Sequence, residues 1–321
     1  MTAILLVTFP FFALVLAGYI AGRRKFLPLA AIPGLNGFVL YFALPCMLYR
    51  FGASLPVAKL LDPAAFFTYL LCAILIVSFT LAISFSSKIG LKDASFGALV
   101  AAFPNTGFMG VPLLVALLGP QAAGPAILTI LVDLIFTSSL CIALSTLGGG
   151  EQRSASKALR NALRGVLANP MPWAILLGAV SSALGLGLPT ALEQTIGMLA
   201  DAASPVALFT IGAVLARSYS LTANGQLTPL PVMQYLPAAI VKLVLHPVLV
   251  LLLGCAVIQA GLPLSKPALT VMVLVAALPS ASNVAMLAER FEADSGRIAR
   301  IILVTTAASF LTFSVAVNLL T

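Results

Sequence analysis

Residues 64–86 contain no charged side chain, and apolar stretches of the same kind recur along the whole chain of 321 residues. An α-helix needs about 20 apolar residues to cross the hydrocarbon core of a bilayer. Overall, 61% of residues are apolar and 8% are charged, whereas a soluble domain carries roughly 25% charged residues. That deficit excludes a water-soluble globular enzyme. A membrane barrel is excluded as well, because its strands alternate in polarity and these runs do not.

The pattern predicts ten membrane spans, at approximately residues 3–21, 31–51, 64–86, 95–118, 122–147, 170–188, 191–216, 233–261, 268–289 and 297–320. The connections after the odd-numbered spans hold Arg23, Arg24, Lys25, Lys88, Lys92, Arg153, Lys157, Arg160, Arg164, Arg217, Arg290, Arg297 and Arg300. The opposite side holds only Arg50, Lys59 and Lys266. Lysine and arginine collect on the cytoplasmic side of membrane proteins, so both termini are expected outside. Arg23, Arg24 and Lys25 follow the first apolar run. A cleavable signal peptide carries its positive charges before that run, so residues 3–21 read as a first span. Between Leu147 and Asn169, Lys157, Arg160 and Arg164 alternate with Leu159, Leu163 and Leu167. That spacing fits an amphipathic helix lying on the membrane surface; a basic extension of the sixth span fits equally. The net charge of +8 follows from these topology signals and does not indicate nucleic acid. Cys46, Cys72, Cys141 and Cys255 all fall within apolar spans, without the paired spacing of a disulfide framework or a metal site. No cofactor is expected.

Two segments nearly repeat. Residues 99–104 read Leu-Val-Ala-Ala-Phe-Pro and residues 274–279 read Leu-Val-Ala-Ala-Leu-Pro. Asn105, Thr106 and Gly107 follow the first proline; Ser280, Ala281, Ser282 and Asn283 follow the second. Proline within a helix removes a hydrogen bond and clashes with the preceding turn. In lipid such a break survives only inside protein or beside a wet cavity. The copies fall in spans four and nine, and Pro45 and Pro205 form a second mid-span pair in spans two and seven. Both pairs are offset by five spans, an odd number, so the two halves run through the membrane in opposite senses. The expected fold is an all-α polytopic protein of two inverted five-helix repeats. Residues 1–147 form the first repeat, 148–169 a cytoplasmic connection and 170–321 the second. Matched broken spans are the sequence pointer to a transporter's substrate site.

At such a site, half-helix N-termini favour an anion. Asn105 and Asn283 each bring an amide with donors and an acceptor, and Thr106, Ser280 and Ser282 bring hydroxyls. Gly107 and Gly110 permit close approach of a ligand or a neighbouring helix. Small and hydroxylated residues also pack membrane helices together, so the hydroxyls carry both readings. Asp133, Asp201, Lys242 and His246 lie within spans, where an ionisable residue implies function and a partner. Lys242 and His246 share a helix face. Asp133 could pair with Lys242, either to exchange protons or as a fixed tie between helices. Asp201 lies one turn before Pro205, placed to satisfy loosened backbone or to meet a ligand.

The segment Phe103-Pro-Asn-Thr-Gly-Phe-Met-Gly-Val-Pro112 resembles the span-four signature of the auxin efflux carrier family in its short bacterial form. Leu278-Pro-Ser-Ala-Ser-Asn283 resembles the matching crossover in span nine, and Phe42-Ala-Leu-Pro-Cys46 resembles the family's broken second span. The resemblance covers essentially the whole chain. It implies a fold like that of bile-acid symporters and sodium/proton antiporters, with spans four and nine crossing at their breaks. Spans 1, 2, 6 and 7 would form a scaffold, and spans 3–5 and 8–10 a transport domain moving like an elevator. It also implies that Asn105 and Asn283 hold a substrate carboxylate. Related antiporters place ion-coupling carboxylates in span five, where Asp133 stands. The long cytoplasmic loop of plant members is missing, so its regulation does not carry over.

The expected function is therefore secondary transport of a small organic acid across the inner membrane, coupled to protons or sodium, with a scaffold homodimer compatible with the resemblance. The rivals are an intramembrane protease and a channel. A serine protease needs a nucleophile with a placed base, yet the chain has one histidine and no Gly-x-Ser-x-Gly. An aspartyl protease would have only Asp133 and Asp201. A channel repeats its filter around a symmetric pore, whereas each break occurs once per half. No ATP-binding P-loop is present.

Overall fold

The computed structural model describes residues 2–54, 62–86, 88–147, 160, 164, 167–223 and 230–320. The candidate surface helix between Leu147 and Asn169 lies largely outside the described residues, as do Lys59, Arg153 and Lys157. Among the described residues the apolar runs are helical: α1 (Thr2–Arg23), α2 (Leu29–Ser54), α3 (Pro63–Ser84), α4 (Leu91–Ala102), α5 (Thr106–Leu118) and α6 (Pro120–Leu147). They continue as α7 (Pro170–Leu184), α8 (Thr190–Ala223), α9 (Leu236–Gln259), α10 (Lys266–Ala276), α11 (Asn283–Arg290) and α12 (Ser295–Leu320). Six are long and apolar enough to cross a membrane: α2, α3, α6, α8 as Thr190–Arg217, α9 and α12. Phe9–Arg23 of α1, α5, α7 and α10 are shorter apolar helices. The protein is a multi-pass membrane protein.

The chain divides into two compact units, each drawing on both halves of the sequence. The first comprises residues 1–62, 107–127 and 169–228. Within it α1 packs along α8, and α2 along α7 and α8. Both main pairings are made through glycine. A Cβ on Gly18 would lie 1.8 Å from the Phe209 carbonyl oxygen, and one on Gly212 would lie 1.8 Å from that of Val15. Gly52 and Gly178 meet the backbone of α7 and α2 in the same way. Lipid supplies no hydrophobic drive between helices, so close backbone packing at small residues holds them together.

The second unit comprises residues 63–106, 128–168 and 229–321. Here α4 packs on α3 and α6, α9 on α3 and α10, and α12 on α4, α10 and α11. Arg297 ties several of these helices at one end. Its side chain is 2% exposed and donates to the carbonyls of Gln234 (2.6 Å) and Asp93 (2.9 Å). Gly97 makes room for it, since a Cβ there would lie 2.7 Å from the guanidinium. Cys46, Cys72, Cys141 and Cys255 are free thiols.

Residues 107–127, expected with the unit that holds α3 and α4, group instead with the first. The reason is local packing: Gly107 faces Leu44, and the helix after it lies against α1. Pro205 does not break its span. The helix runs unbroken from Thr190 to Ala223, and Pro205 sits on an exposed side of it. The one bond it removes is therefore not trapped in the packed interior. Nor does Pro45 end a helix. The π-helical turn Val39–Ala43 precedes it, widening the spiral where the ring would strike the Tyr41 carbonyl. The π turns Thr106–Gly110 and Val241–Leu245 likewise end two residues before Pro112 and Pro247.

Candidate functional site

Helix α4 stops at Ala102, and Phe103 turns extended, with φ −98° and ψ 103°. A residue before proline is pushed out of the helical region, and Phe103 precedes Pro104. Helix α10 stops at Ala276, three residues before Pro279. The freed backbone groups find each other. Asn105 N–H donates to the Pro279 carbonyl at 2.8 Å, and Ala281 N–H donates to the Phe103 carbonyl at 2.9 Å. Pro104 and Ser280 thus form an antiparallel bridge inside the second unit. In unbroken helices the Phe103 carbonyl would pair with Gly107 N–H and Ala281 N–H with the Ala277 carbonyl. The crossing replaces those bonds with bonds between the breaks.

The crossing is buried: Asn105 is 3% exposed, Thr106 0% and Ser280 1%. Three side-chain atoms here, Thr106 Oγ1, Ser280 Oγ and Asn283 Oδ1, are buried without a hydrogen-bond partner. A polar atom out of water and unpaired costs about 1–3 kcal/mol, so these three atoms leave unmet hydrogen-bonding capacity at the two breaks. Ser282 is half-buried at the start of α11, and its hydroxyl does not cap the helix. Gly107, next in the chain after Thr106, lies beside Leu44, whose side chain would meet a Cβ there at an ordinary 3.5 Å.

The ionisable residues separate into two settings. Asp133, Lys242 and His246 are fully buried in the second unit. Asp133 sits in the π turn Val132–Thr137; its carboxylate accepts from Tyr69 Oη and Thr137 Oγ1, both at 3.1 Å. Ser138 Oγ donates to its backbone carbonyl at 2.8 Å. Lys242 Nζ donates to the Ala276 carbonyl at 2.6 Å and lies 3.2 Å from His246 Nδ1. The Tyr69 ring faces His246, with centroids 6.1 Å apart. Among the described residues, no direct ion pair joins Asp133 and Lys242; each is held by nearer partners. Asp201, in the first unit, is exposed and pairs with Arg50 at 2.6 Å. Its carboxylate is engaged by Arg50 of α2, not by the backbone before Pro205.

Tyr69, Thr137 and Thr305 belong to this architecture without having been singled out in the sequence. Thr305 Oγ1 accepts the Ser280 N–H at 3.2 Å. A phenol within an uncharged span was the available signal for Tyr69; nothing in the sequence distinguishes Thr305 from its neighbouring threonine.

A family described as "Membrane transport protein" matches residues 3–317. The chain belongs to that family, which includes the auxin efflux carriers. It is 28% identical to a Rhizobium meliloti protein named "Putative malonate transporter", over 94% of this chain and 91% of that one. It is 26% identical to the Escherichia coli K12 "Uncharacterized transporter YfdV", over 88% and 86%. It is 23% identical to "Auxin efflux carrier component 8" of Arabidopsis thaliana, over 80% and 85%. The protein is accordingly a membrane transporter.

Proposed function

We propose that this protein is a secondary transporter of a small organic anion, and that the crossing of the two breaks is where the substrate carboxylate binds. One observation carries the reading: two proline breaks, 175 residues apart in sequence at Pro104 and Pro279, bond to each other and leave Thr106 Oγ1, Ser280 Oγ and Asn283 Oδ1 buried and unpartnered. Asn105 and Asn283 donate amide hydrogens to the carboxylate. A half-turn of the Asn283 amide exchanges Oδ1 for its donor nitrogen. Thr106, Ser280 and Ser282 contribute hydroxyls. Asp133, Lys242 and His246 balance charge as a proton or sodium ion accompanies the substrate.

The architecture proposed with this function has ten spans in two inverted repeats, in the inner membrane, with both termini on the periplasmic side. The helix pairings support it. Exchanging the two halves turns the pairing of α1 with α8 into that of α7 with α2, and both pairings occur. Access alternates by an elevator-like displacement of the unit that carries the crossing. The relative named for malonate favours a short dicarboxylate.

Uptake of radiolabelled malonate and related acids into proteoliposomes tests this reading. Asn105→Ala is expected to abolish transport while its elution profile and melting midpoint stay near those of the parent. Undiminished transport by that variant would remove the site.

A further inference from the structure

Proline alone does not open a helix in this protein. Pro10 and Pro205 both lie inside unbroken helices, yet α10 stops before Pro279. A continuous helix would join the Ala276 carbonyl to the Ser280 N–H, the ordinary bond between residues four apart. Pro279 has no part in that bond. Both of its ends are occupied by side chains from other helices. The carbonyl of Ala276 accepts from Lys242 Nζ of α9 at 2.6 Å, and Ser280 N–H donates to Thr305 Oγ1 of α12 at 3.2 Å. Thr305 is itself held in place, since its hydroxyl reaches the Ile301 carbonyl at 2.8 Å.

We propose that Lys242 and Thr305 are positioning residues that hold the second break open, by dividing between them the two halves of the helical hydrogen bond that would close it. An ammonium suits the carbonyl end, where the helix dipole is negative. A hydroxyl oxygen suits the N–H end, because it accepts without adding charge beside an anion site. His246, Asp133 and Tyr69 are the titratable groups around Lys242, and they keep its amine in a polar setting. The consequence for transport rests on the reading of the crossing as the substrate site; the helix geometry does not.

The two substitutions have an unusual combined effect on this account. Lys242→Met strands the Ala276 carbonyl, and Thr305→Val strands the Ser280 N–H. Together they strand two groups that are each other's natural partners, and the helix can close across Pro279 as it does across Pro205. The test measures melting midpoints of both single variants and the double variant, with hydrogen exchange of the peptide covering residues 276–284. Each single variant is expected to melt several degrees below the parent. The double variant should lose less than the sum of the two, and its Ser280 amide should exchange at least tenfold more slowly than in Thr305→Val. Additive midpoints, with exchange as fast as in Thr305→Val, would overturn the proposal.

Thr305→Ser, which keeps the hydroxyl, provides a milder comparison and should retain the parent's exchange at Ser280; exchange as fast as in Thr305→Val would count against the proposal. Malonate binding separates the two readings. Partial closure lowers the binding-competent fraction, and the apparent dissociation constant rises in inverse proportion. Thr305→Val should therefore weaken malonate binding several-fold while transport at saturating malonate recovers. Non-additive stability with unchanged malonate binding would uphold the latch and instead remove the crossing as the substrate site.

Discussion

Gly212 and Gly197 lie on the same helix, Thr190–Ala223, and replacing each by alanine should have opposite effects. At Gly197 nothing lies within 4 Å of the new Cβ, so only backbone propensity changes. Alanine there is expected to stabilise by about 0.8–1 kcal/mol. At Gly212 the new Cβ would stand 1.8 Å from the Val15 carbonyl oxygen, against a floor of 3.0 Å for real contacts. The two backbones must then separate by at least about 1.2 Å, and neither is a flexible side chain that can swing away. Overpacking of a tight contact costs about 1–3 kcal/mol, and a rigid backbone partner places this case at the upper end. Subtracting the propensity gain leaves a loss of about 2 kcal/mol. The two variants should differ by about 3 kcal/mol, or roughly 4–5 °C in melting midpoint at about 1.5 °C per kcal/mol for a chain of 321 residues. Thermal unfolding of the purified protein in detergent, followed by a thiol-independent dye or by light scattering, measures that difference. Equal midpoints would refute the reasoning that bare backbone contact holds α1 against α8.

Tyr69→Phe keeps the ring and removes one of the two hydroxyls on the buried Asp133 carboxylate; it should cost about 1–3 kcal/mol of stability, read as a lower melting midpoint and slower malonate uptake. Arg297→Met strands the carbonyls of Gln234 and Asp93 and should cost about 3 kcal/mol or more, since a buried charge network loses its centre. Arg297→Lys keeps the charge without the planar fork and should recover only part of that loss in the same assay. Asp201→Asn opens an exposed ion pair worth about 0–1 kcal/mol, so its midpoint should stay near that of the parent.

The breaks were legible because the two prolines share their flanking residues, Leu-Val-Ala-Ala before and small polar residues after; a proline alone was not enough, as Pro10 and Pro205 show. The contact between the breaks was not written in either copy alone. It follows from the freed Asn105 and Ala281 amides, which need acceptors where there is no water. Pro205 misled for the same physical reason in reverse. Sequence shows that a bond is lost but not whether the loss faces the packed interior, and here it faces outward. Asp201 reads from sequence as a neighbour of Pro205, but its partner Arg50 is 151 residues away. Lys242 was conspicuous as a charge in a span, yet its nearest acceptor is a backbone carbonyl, and a carbonyl leaves no trace in a sequence. The π turns leave a partial trace in the sequence, since Pro45, Pro112 and Pro247 each follow one by two residues. The turn that holds Asp133 has no such proline.

The most direct measurement is a structure of the protein in lipid nanodiscs with saturating malonate. The account predicts a carboxylate at the crossing, within about 3 Å of the amides of Asn105 and Asn283, with the helices still interrupted at Pro104 and Pro279. Malonate bound elsewhere, or helices running unbroken through both prolines, would contradict it.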